Sequence, residues 1–330
     1  MTKLRQEMDS FEFLRLQDEP CRHFSERKIH QLLMHNILAF MGCLERFYLA
    51  WASNGSMVEQ PRKQLFTTEG LKGDLRVMPC VINRFEGALI KAVKVIGTNE
   101  EERLVTDKIS VGKALLVDST DNFVKGIFDV CALSSFRTAA ISALAFKHSM
   151  PVTGMRVGIV GGGRVGFYTA KILSSWLGVE ALSVADTDTG RVLELRKILD
   201  PVVVHPSTLP EICNECDALF LSTNASSPLF DSAHAGSVNF ISSVGADADN
   251  LSELDASLLE GRTLLSESRQ NIAFGDMHRW QADGLLDEEQ IVELREVIGK
   301  SAISAQPVLF ISTGTAVQDA LVCNFLYDLA

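Results

Sequence analysis

The sequence predicts an α/β fold that combines a doubly wound parallel sheet with a second, strand-rich module. Short β-like runs occupy the chain before about residue 135, and apolar strands alternate with helices from Met155 onward. A glycine-rich turn joins the first of these later strands to its helix. The length of 330 residues is enough for about two domains.

The first module is predicted to begin with a helix and to continue as strands. Apolar residues in Gln31–Ala52 recur at helical spacing with polar interruptions, which indicates an amphipathic helix and not a membrane span. A helix is also expected over Ser134–His148, with Ser135 as its N-cap. The β-like runs between them, separated by polar turns such as Thr98–Arg103, are Arg76–Ile82, Ala88–Ile96, Lys113–Val117 and Val124–Phe128.

The second module alternates strands with helices, which predicts a parallel sheet covered on both faces. Its helices include Val165–Leu177 and Arg191–Leu199. Its predicted strands are Arg156–Val160, Ala181–Ala185, Val202–Val204, Ala218–Ser222, Ser237–Val244 and Thr263–Leu265. The final strand and helix, Pro307–Ile311 and Thr315–Leu329, either continue this sheet or return to the first module.

Composition excludes several classes of partner. A formal net charge of −11 argues against nucleic acid or an anionic membrane, because both require clustered Lys and Arg. The seven dispersed cysteines and the lack of an apolar leader in Met1–Glu19 predict a reducing, cytoplasmic setting. Cys213 and Cys216 form a lone C-x-x-C, and the histidines lack metal-ligand spacing, so no metal site is expected.

The strongest local signal is a G-x-G-x-x-G fingerprint formed by Gly161, Gly163 and Gly166. It follows an apolar strand and opens a helix, and Asp186 ends the next strand 20 residues after Gly166, as in a Rossmann-type dinucleotide site. The glycines allow the tight turn, the approach of a pyrophosphate and close packing of the helix. Asp186 would bind the ribose hydroxyls and repel a 2′-phosphate, which favours NAD over NADP.

The predicted cofactor contacts continue at the ends of neighbouring strands. Ser222-Thr-Asn224 ends the fourth strand of the unit, where ligands bind in open α/β sheets. Arg164 is either a phosphate contact or a solvated helix residue. The full predicted set is Gly161, Gly163, Arg164, Val165, Gly166, Asp186, Thr187, Ser222, Thr223, Asn224, Val244, Gly245 and Thr138.

Several further segments occur in an order that matches one known family. The most specific is Ser134–His148, which contains an Arg-Thr-Ala-Ala run starting at Arg137. The others are Pro61-Arg62, Met78-Pro79, Val93-Lys94-Val95, Val244–Asp247 with Glu253–Asp255, and Ser312–Asp319. On these segments, from about Pro61 to the C-terminus, the sequence resembles the ornithine cyclodeaminase/mu-crystallin family.

The resemblance implies a split substrate domain, residues 1–134 plus 306–330, that also forms a homodimer, and an inserted NAD-binding domain, residues 135–305. It implies that Arg62 and Arg137 hold the carboxylate of a small amino-acid-like substrate. Lys94 would lie at the reacting carbon, and Asp247 would handle protons on the amine or on an attacking water. These residue types suit the roles, because a guanidinium binds a carboxylate bidentately and an Asp and a Lys can divide acid and base work.

Each of these residues also has a structural interpretation. Arg62 could be a surface residue after a proline, and Asp247 could cap a turn. Lys91 and Lys94 compete for one role, because residues three apart on a strand point to opposite faces. The family pattern favours Lys94.

The predicted function is NAD-dependent interconversion of an amino acid, or an N-substituted amino acid, with its imine or 2-oxo acid. The alternatives are an ornithine-type cyclodeaminase with no net change in the cofactor, and a catalytically silent NAD-binding protein of the crystallin type. Asp247-Ala-Asp-Asn250 departs from the Cys-Pro-Gly-Lys-like run of the cyclodeaminases, whereas Asp247 itself argues against the crystallin branch. Val95-Ile-Gly-Thr and Ser134-Ser135 look closest to the dehydrogenases that form 2,3-diaminopropionate in siderophore and antibiotic pathways.

Overall fold

The computed structural model describes residues 14–15, 17–67, 73–98, 110–235, 237–248, 250–300 and 306–330. Most of the predicted polar turn at Thr98–Arg103, most of the N-terminal segment Met1–Glu19 and the predicted domain boundary at residue 305 lie outside these ranges.

The first module is a mainly antiparallel sheet with a pair of helices at its start. The strands pair in the order β1-β7-β6-β5-β4-β2, with β3 also on β4. Only the β1–β7 pair among these is parallel. The strands are β1 (Arg22–Phe24), β2 (Val58–Glu59), β3 (Gln64–Phe66), β4 (Leu75–Phe85), β5 (Ala88–Thr98), β6 (Ser110–Val117) and β7 (Val124–Asp129).

Two helix predictions in this module are wrong in detail. The single helix expected over Gln31–Ala52 is two helices, α1 (Glu26–His35) and α2 (Ile37–Ser53). The chain breaks at Asn36, whose φ of −126° is not helical and whose side-chain amide donates to the Leu32 carbonyl at 2.8 Å.

The helix expected to begin at Ser135 begins one turn earlier, as α3 (Val130–Ser149), because β7 runs directly into it. Ser135 is inside this helix, where its hydroxyl donates to the Cys131 carbonyl. Nearly all of α3 is buried, and it contacts β6 of the first sheet and also β13 (Phe240–Ser243) and β17 (Val308–Ile311) of the second. Among the described helices, α3 alone has the length and composition to cross a membrane, and 78% of its apolar window is buried inside the protein.

The second module is an eight-stranded sheet in which every pair is parallel. Its order is β10-β9-β8-β11-β13-β17-β15-β16, so the order reverses direction between β8 and β11, where a dinucleotide crevice is expected. The remaining strands are β8 (Val157–Val160), β9 (Ala181–Ala185), β10 (Val203–Pro206), β11 (Ala218–Leu221), β15 (Thr263–Ser266) and β16 (Val292–Glu293). The predicted α/β fold class is confirmed.

Helices connect many of these strands. They pack on both faces of the sheet, because apolar strands such as β8, β11 and β13 are buried on both sides. These helices are α4 (Arg164–Leu177), α5 (Thr189–Ile198), α6 (Leu209–Glu215), α7 (Gly275–Ala282) and α8 (Leu294–Val297). A separate parallel pair is formed by β12 (Ser226–Phe230) and β14 (Ser252–Leu254).

The last segment belongs to both modules. Strand β17 pairs with β13 and β15, so residues 308–311 lie in the parallel sheet and not, as the predicted division has it, with the first module. The helix that follows, α9 (Ala316–Leu329), lies against β4 and β5 of the first sheet. The division into residues 1–134 plus 306–330 and residues 135–305 otherwise stays a prediction.

Candidate active site

The glycine-rich loop between β8 and α4 is shaped by its own backbone. Gly161 has a φ of +100°, and a Cβ built on it would lie 2.5 Å from the Ser222 carbonyl oxygen. A Cβ on Gly166 would lie 2.1 Å from the Gly161 carbonyl oxygen, so both positions require glycine. A Cβ on Gly163 would meet no atom within 4 Å, which leaves open space at the N-terminus of α4.

Asp186 follows β9 directly and faces this loop. Its Oδ2 accepts a hydrogen bond from the Gly162 amide at 2.7 Å, and its Oδ1 accepts one from the Asp188 amide at 2.8 Å. The carboxylate is therefore within reach of a ribose bound against the loop. Thr187, the next predicted contact, is exposed.

These features fit a dinucleotide. The first turn of α4, which begins at Arg164 and Val165, presents its amides and the positive end of the helix dipole to the space at Gly163. Arg164 itself extends towards α3, where its Nη1 lies 3.1 Å from Cys131 Sγ. A phosphate-sized anion would thus find both donors and room at this loop.

A buried carboxyl group, Glu253, ties together the loops that follow β11 and β13. Its Oε1 accepts hydrogen bonds from the amide and the hydroxyl of Thr223, at 2.6 and 2.9 Å. Its Oε2 accepts from the Ser243 hydroxyl at 2.7 Å and from the Gly245 amide at 2.8 Å. Burial raises the pKa of Glu253, although these four donors oppose the rise. The two loops at the cofactor crevice are therefore held in fixed register.

The other predicted cofactor residues surround the same crevice. The Ser222 hydroxyl donates to the Gly161 carbonyl at 3.2 Å and so connects the loop after β11 to the glycine-rich loop. Asn224 is exposed, and Val244 is half-buried. Thr138, on α3, is buried.

A cavity of about 510 Å³ adjoins the outer side of the glycine-rich loop. Gly162 and Gly163 line it on one side, and side chains of α1, α4 and α5, including His30 and Phe167, line it on the others. The described residues that line it include none from the loops after β11 and β13.

The second part of the site is a buried ion cluster around Asp319. Lys94 Nζ lies 2.6 Å from Asp319 Oδ2, and Arg137 Nε lies 3.3 Å from Oδ1, with no side chain of the three more than 9% exposed. Burial lowers the pKa of Lys94 to about 8, Asp319 opposes this effect, and Arg137 adds to it. Two cations around one carboxylate leave an excess of positive charge.

The orientation of β5 separates the two candidate lysines. Lys94 faces α3 and α9, whereas Lys91 points to the other face of the sheet and donates to the Ser119 carbonyl and to Asn122. Lys94 and Arg137 thus lie together, as expected, while Lys91 lies apart from them. The Arg137 guanidinium also donates to the Ser134 hydroxyl at 3.1 Å.

Asp247 belongs to a second ion cluster, on the loop that follows β13. Its Oδ2 lies 2.5 Å from Arg76 Nη1, and Arg76 is held in turn by two hydrogen bonds of 2.8 Å to Asp74. Burial tends to raise the pKa of Asp247, but Arg76 and Lys63 outweigh it, and the pKa lies below its usual value. Asp247 is therefore a carboxylate at neutral pH.

Lys63, the neighbour of Arg62, has its ammonium group in this part of the structure. Lys63 Nζ donates to the Thr313 carbonyl at 3.1 Å and lies 3.9 Å from the centre of the Phe274 ring. Arg62 is exposed, so its assignment to the substrate carboxylate stays a prediction. Both side chains border a cavity of only about 20 Å³ between the start of β3 and the loop after β17.

Sequence reasoning missed Asp319, Arg76, Asp74 and Lys63, and all of these except Asp74 had some signal. Asp319 ends the matched segment Ser312–Asp319, although no role was attached to it. Arg76 alternates with Met78 on the buried face of β4, which places a charge where an apolar side chain is expected. Lys63 adjoins the matched Pro61-Arg62 pair.

The described residues contain no group of three or more His, Cys, Asp or Glu side chains that could hold a metal ion. Cys213 and Cys216 are buried free thiols.

Comparison with known proteins gives consistent matches over most of the chain. A family model described as ornithine cyclodeaminase/mu-crystallin matches residues 27–330. An iminosuccinate reductase from Paracoccus denitrificans is 25% identical over 261 residues, or 74% of this chain and 78% of that protein.

Two solved structures have the same fold. The first is the structure of Thermococcus litoralis Δ1-pyrroline-2-carboxylate reductase in complex with NADH and L-proline. Its sequence is 22% identical to this one, its TM-score is 0.80, and the match covers 93% of this chain and 96% of the reductase chain. An archaeal alanine dehydrogenase dimer with bound NAD is 19% identical with a TM-score of 0.80 and covers 93% and 95%.

Proposed function

Because the chain belongs to the ornithine cyclodeaminase/mu-crystallin family, we propose that it is an NAD-dependent oxidoreductase that interconverts an amino acid, or an N-substituted amino acid, with its imine or 2-oxo acid. The observation that carries the proposal is the pair of buried cations, Lys94 and Arg137, beside the loop that follows β17. That loop and the glycine-rich loop both follow parallel strands, so they lie at the same edge of the sheet.

The cofactor would lie across the carboxyl ends of β8 and β11. The amides at the start of α4 would hold the pyrophosphate, and Asp186 would hold the ribose. The loops tied by Glu253 would border the nicotinamide half. When bound, NAD supplies the acceptor, and NADH the donor, of the hydride exchanged at the substrate Cα.

The substrate carboxylate would bind at Arg137, with Arg62 at the outer edge of the site. The excess positive charge around Asp319 favours one anion there, and a guanidinium offers a planar pair of donors for it. Lys94 would then lie near the reacting carbon. Precise placement of Cα against the cofactor would supply a large part of the rate enhancement.

Asp247 is suited to a role on the substrate nitrogen. As a carboxylate at neutral pH it would attract an ammonium or iminium group, and in the hydrolytic direction it would orient the attacking water. Its ion pair with Arg76 fixes the carboxylate in position.

We also propose that the protein forms a homodimer and acts in the cytoplasm. An archaeal alanine dehydrogenase of the same fold is described as a dimer, and the family resemblance assigns dimerisation to the first module. Light scattering of the purified protein tests this part, since a mass of one chain would contradict it.

The decisive experiment is a substrate screen. The purified protein is incubated with NAD and a panel of L-amino acids and amino-acid conjugates, while nicotinamide absorbance and ammonia are followed together. Net formation of NADH supports the proposal. Ammonia without NADH would indicate a cyclodeaminase instead, and bound NAD with neither product would indicate a silent binding protein.

A further inference from the structure

The Lys63 ammonium lies at a junction between the two ion clusters. It donates to the carbonyl of Thr313, which precedes Gly314, and a Cβ on Gly314 would lie 2.7 Å from the Arg137 guanidinium. On its other side, Lys63 Nζ lies over Phe274, and the next residue, Gly275, packs so closely on Ala246 that a Cβ there would lie 1.9 Å from the Ala246 carbonyl oxygen. Ala246 directly precedes Asp247, whose charge raises the pKa of Lys63. The ammonium thus contacts the loop that packs on Arg137 and the residue next to the one that packs on Ala246.

Not all N–H bonds of the Lys63 ammonium are used within the described structure. An ammonium group has three N–H bonds, and among the described residues its hydrogen bond is the one to the Thr313 carbonyl, while the Phe274 ring offers only its face. At least one N–H bond is therefore available to a ligand in the site.

The neighbouring groups are less suited to exchange a proton with a substrate. Asp247 is ion-paired to Arg76 and is already deprotonated at neutral pH. Lys94 also has a lowered pKa, about 8, but its ammonium is held in an ion pair with Asp319 at 2.6 Å, at the proposed carboxylate end of the site. The guanidinium groups of Arg76 and Arg137 do not release protons in proteins.

We propose that Lys63 is a catalytic residue that exchanges a proton with the substrate nitrogen. This role rests on the proposed function and refines it. In the direction of imine reduction, the Lys63 ammonium gives one proton to the imine nitrogen, and the Cα of the resulting iminium accepts the hydride. The imine is reduced to the amine, the cofactor is oxidised, and the Lys63 amine regains its proton from water. In the reverse direction, the neutral Lys63 amine takes the proton from the substrate nitrogen.

The charges around Lys63 support this exchange at neutral pH. Burial lowers its pKa to about 7, Asp247 opposes this effect, and Arg76, Lys94 and Arg137 add to it. Both forms of the side chain are then well populated, as a general acid–base requires. Reduction uses the ammonium, so its rate should fall as the pH rises through about 7, and oxidation should show the opposite limb.

The test compares Lys63→Arg and Lys63→Met with the matched variant Lys91→Met, whose side chain faces away from the site. We expect Lys63→Arg, which keeps the charge but cannot release a proton, to lose about 10²-fold or more in kcat and to lose the limb near pH 7. Lys91→Met should keep both. If Lys63→Arg retained kcat and the limb, Lys63 would be a binding residue and the proposal would be wrong.

A second measurement needs no substrate. Acetylation of the free protein with acetic anhydride over a range of pH, quantified by peptide mass spectrometry, reports the titration of each lysine. Lys63 should titrate near 7, and Asp247→Asn should lower that value, because Asp247 stabilises the ammonium. Titration of Lys63 at the ordinary lysine value, about 10.4, would overturn the proton role even in an active enzyme. Failure of the proposed function would appear separately, as no turnover by the wild type.

Discussion

Lys94 Nζ lies 2.6 Å from Asp319 Oδ2, and both side chains are almost inaccessible to solvent, at 2% and 3%. This pair connects β5 to the first turn of α9, and Arg137 of α3 completes it from the other side. One carboxylate thus fixes two cations of the proposed substrate site.

Asp319→Asn should therefore both unfold more easily and bind substrate less well. The variant leaves two buried cations without their counter-ion, which should cost about 3–5 kcal/mol of unfolding free energy. The pKa of Lys94 should also fall, because Asp319 raises it. Urea unfolding and KM measure the two effects. Asp328→Asn, on the exposed end of the same helix, should change the unfolding free energy by less than about 0.5 kcal/mol, and equal effects of the two variants would contradict this interpretation.

Asp186→Ala should weaken NAD binding about 10- to 100-fold, because hydrogen bonds from the ribose hydroxyls to a charged group are worth about 1.5–3 kcal/mol. Fluorescence titration with NADH gives the Kd. The matched control is Asp188→Ala, whose side chain caps α5 and does not face the loop. An unchanged Kd in Asp186→Ala would contradict the proposal that Asp186 binds the ribose of NAD.

Alanine at two glycines should separate folding from cofactor binding. Gly161→Ala forces a positive φ and a contact of 2.5 Å with a carbonyl oxygen, so we expect a clear loss of thermal stability. Gly163→Ala has open space and should keep its Tm, but it should raise the Kd of NADH because the added methyl occupies the predicted pyrophosphate site. A normal Kd in Gly163→Ala would contradict that location.

Arg76→Leu should shift the acidic limb of the kcat/KM profile to higher pH. Arg76 now holds the pKa of Asp247 below its usual value against the effect of burial, so its removal lets the pKa rise and Asp247 protonate earlier as the pH falls. Arg76→Lys retains a positive charge and should shift the limb less. Identical acidic limbs in wild type and Arg76→Leu would show that Asp247 has no part in the rate.

The fold was predictable where local patterns determine it. One local motif of about 30 residues contains the apolar run of β8, the glycine fingerprint and Asp186 after β9. Such a motif can be identified without knowledge of the tertiary structure. The break at Asn36 was not predictable, because the apolar spacing continues across it. The sheet to which β17 belongs was also predicted wrongly, because an apolar strand fits either sheet.

The site was predictable only in part, because tertiary contacts assemble it. Lys94 and Arg137 lie in segments with a recognisable pattern. Lys63, Arg76 and Asp319 come from three other parts of the chain, and their importance lies in the partners that folding brings to them. The pairing of Arg76 with Asp247, 171 positions away, cannot be predicted from any periodicity in the sequence.

The small cavity between Lys63 and the loop after β17 has a consequence for access. A space of about 20 Å³ admits roughly one water molecule and no amino acid. If the substrate nitrogen binds beside Lys63, this space must widen, for example by movement of the Lys63 and Phe274 side chains that line it. Such a widening would also admit solvent to the Lys63 amine, so entry of a new substrate and recovery of the proton for the next turnover would then occur together.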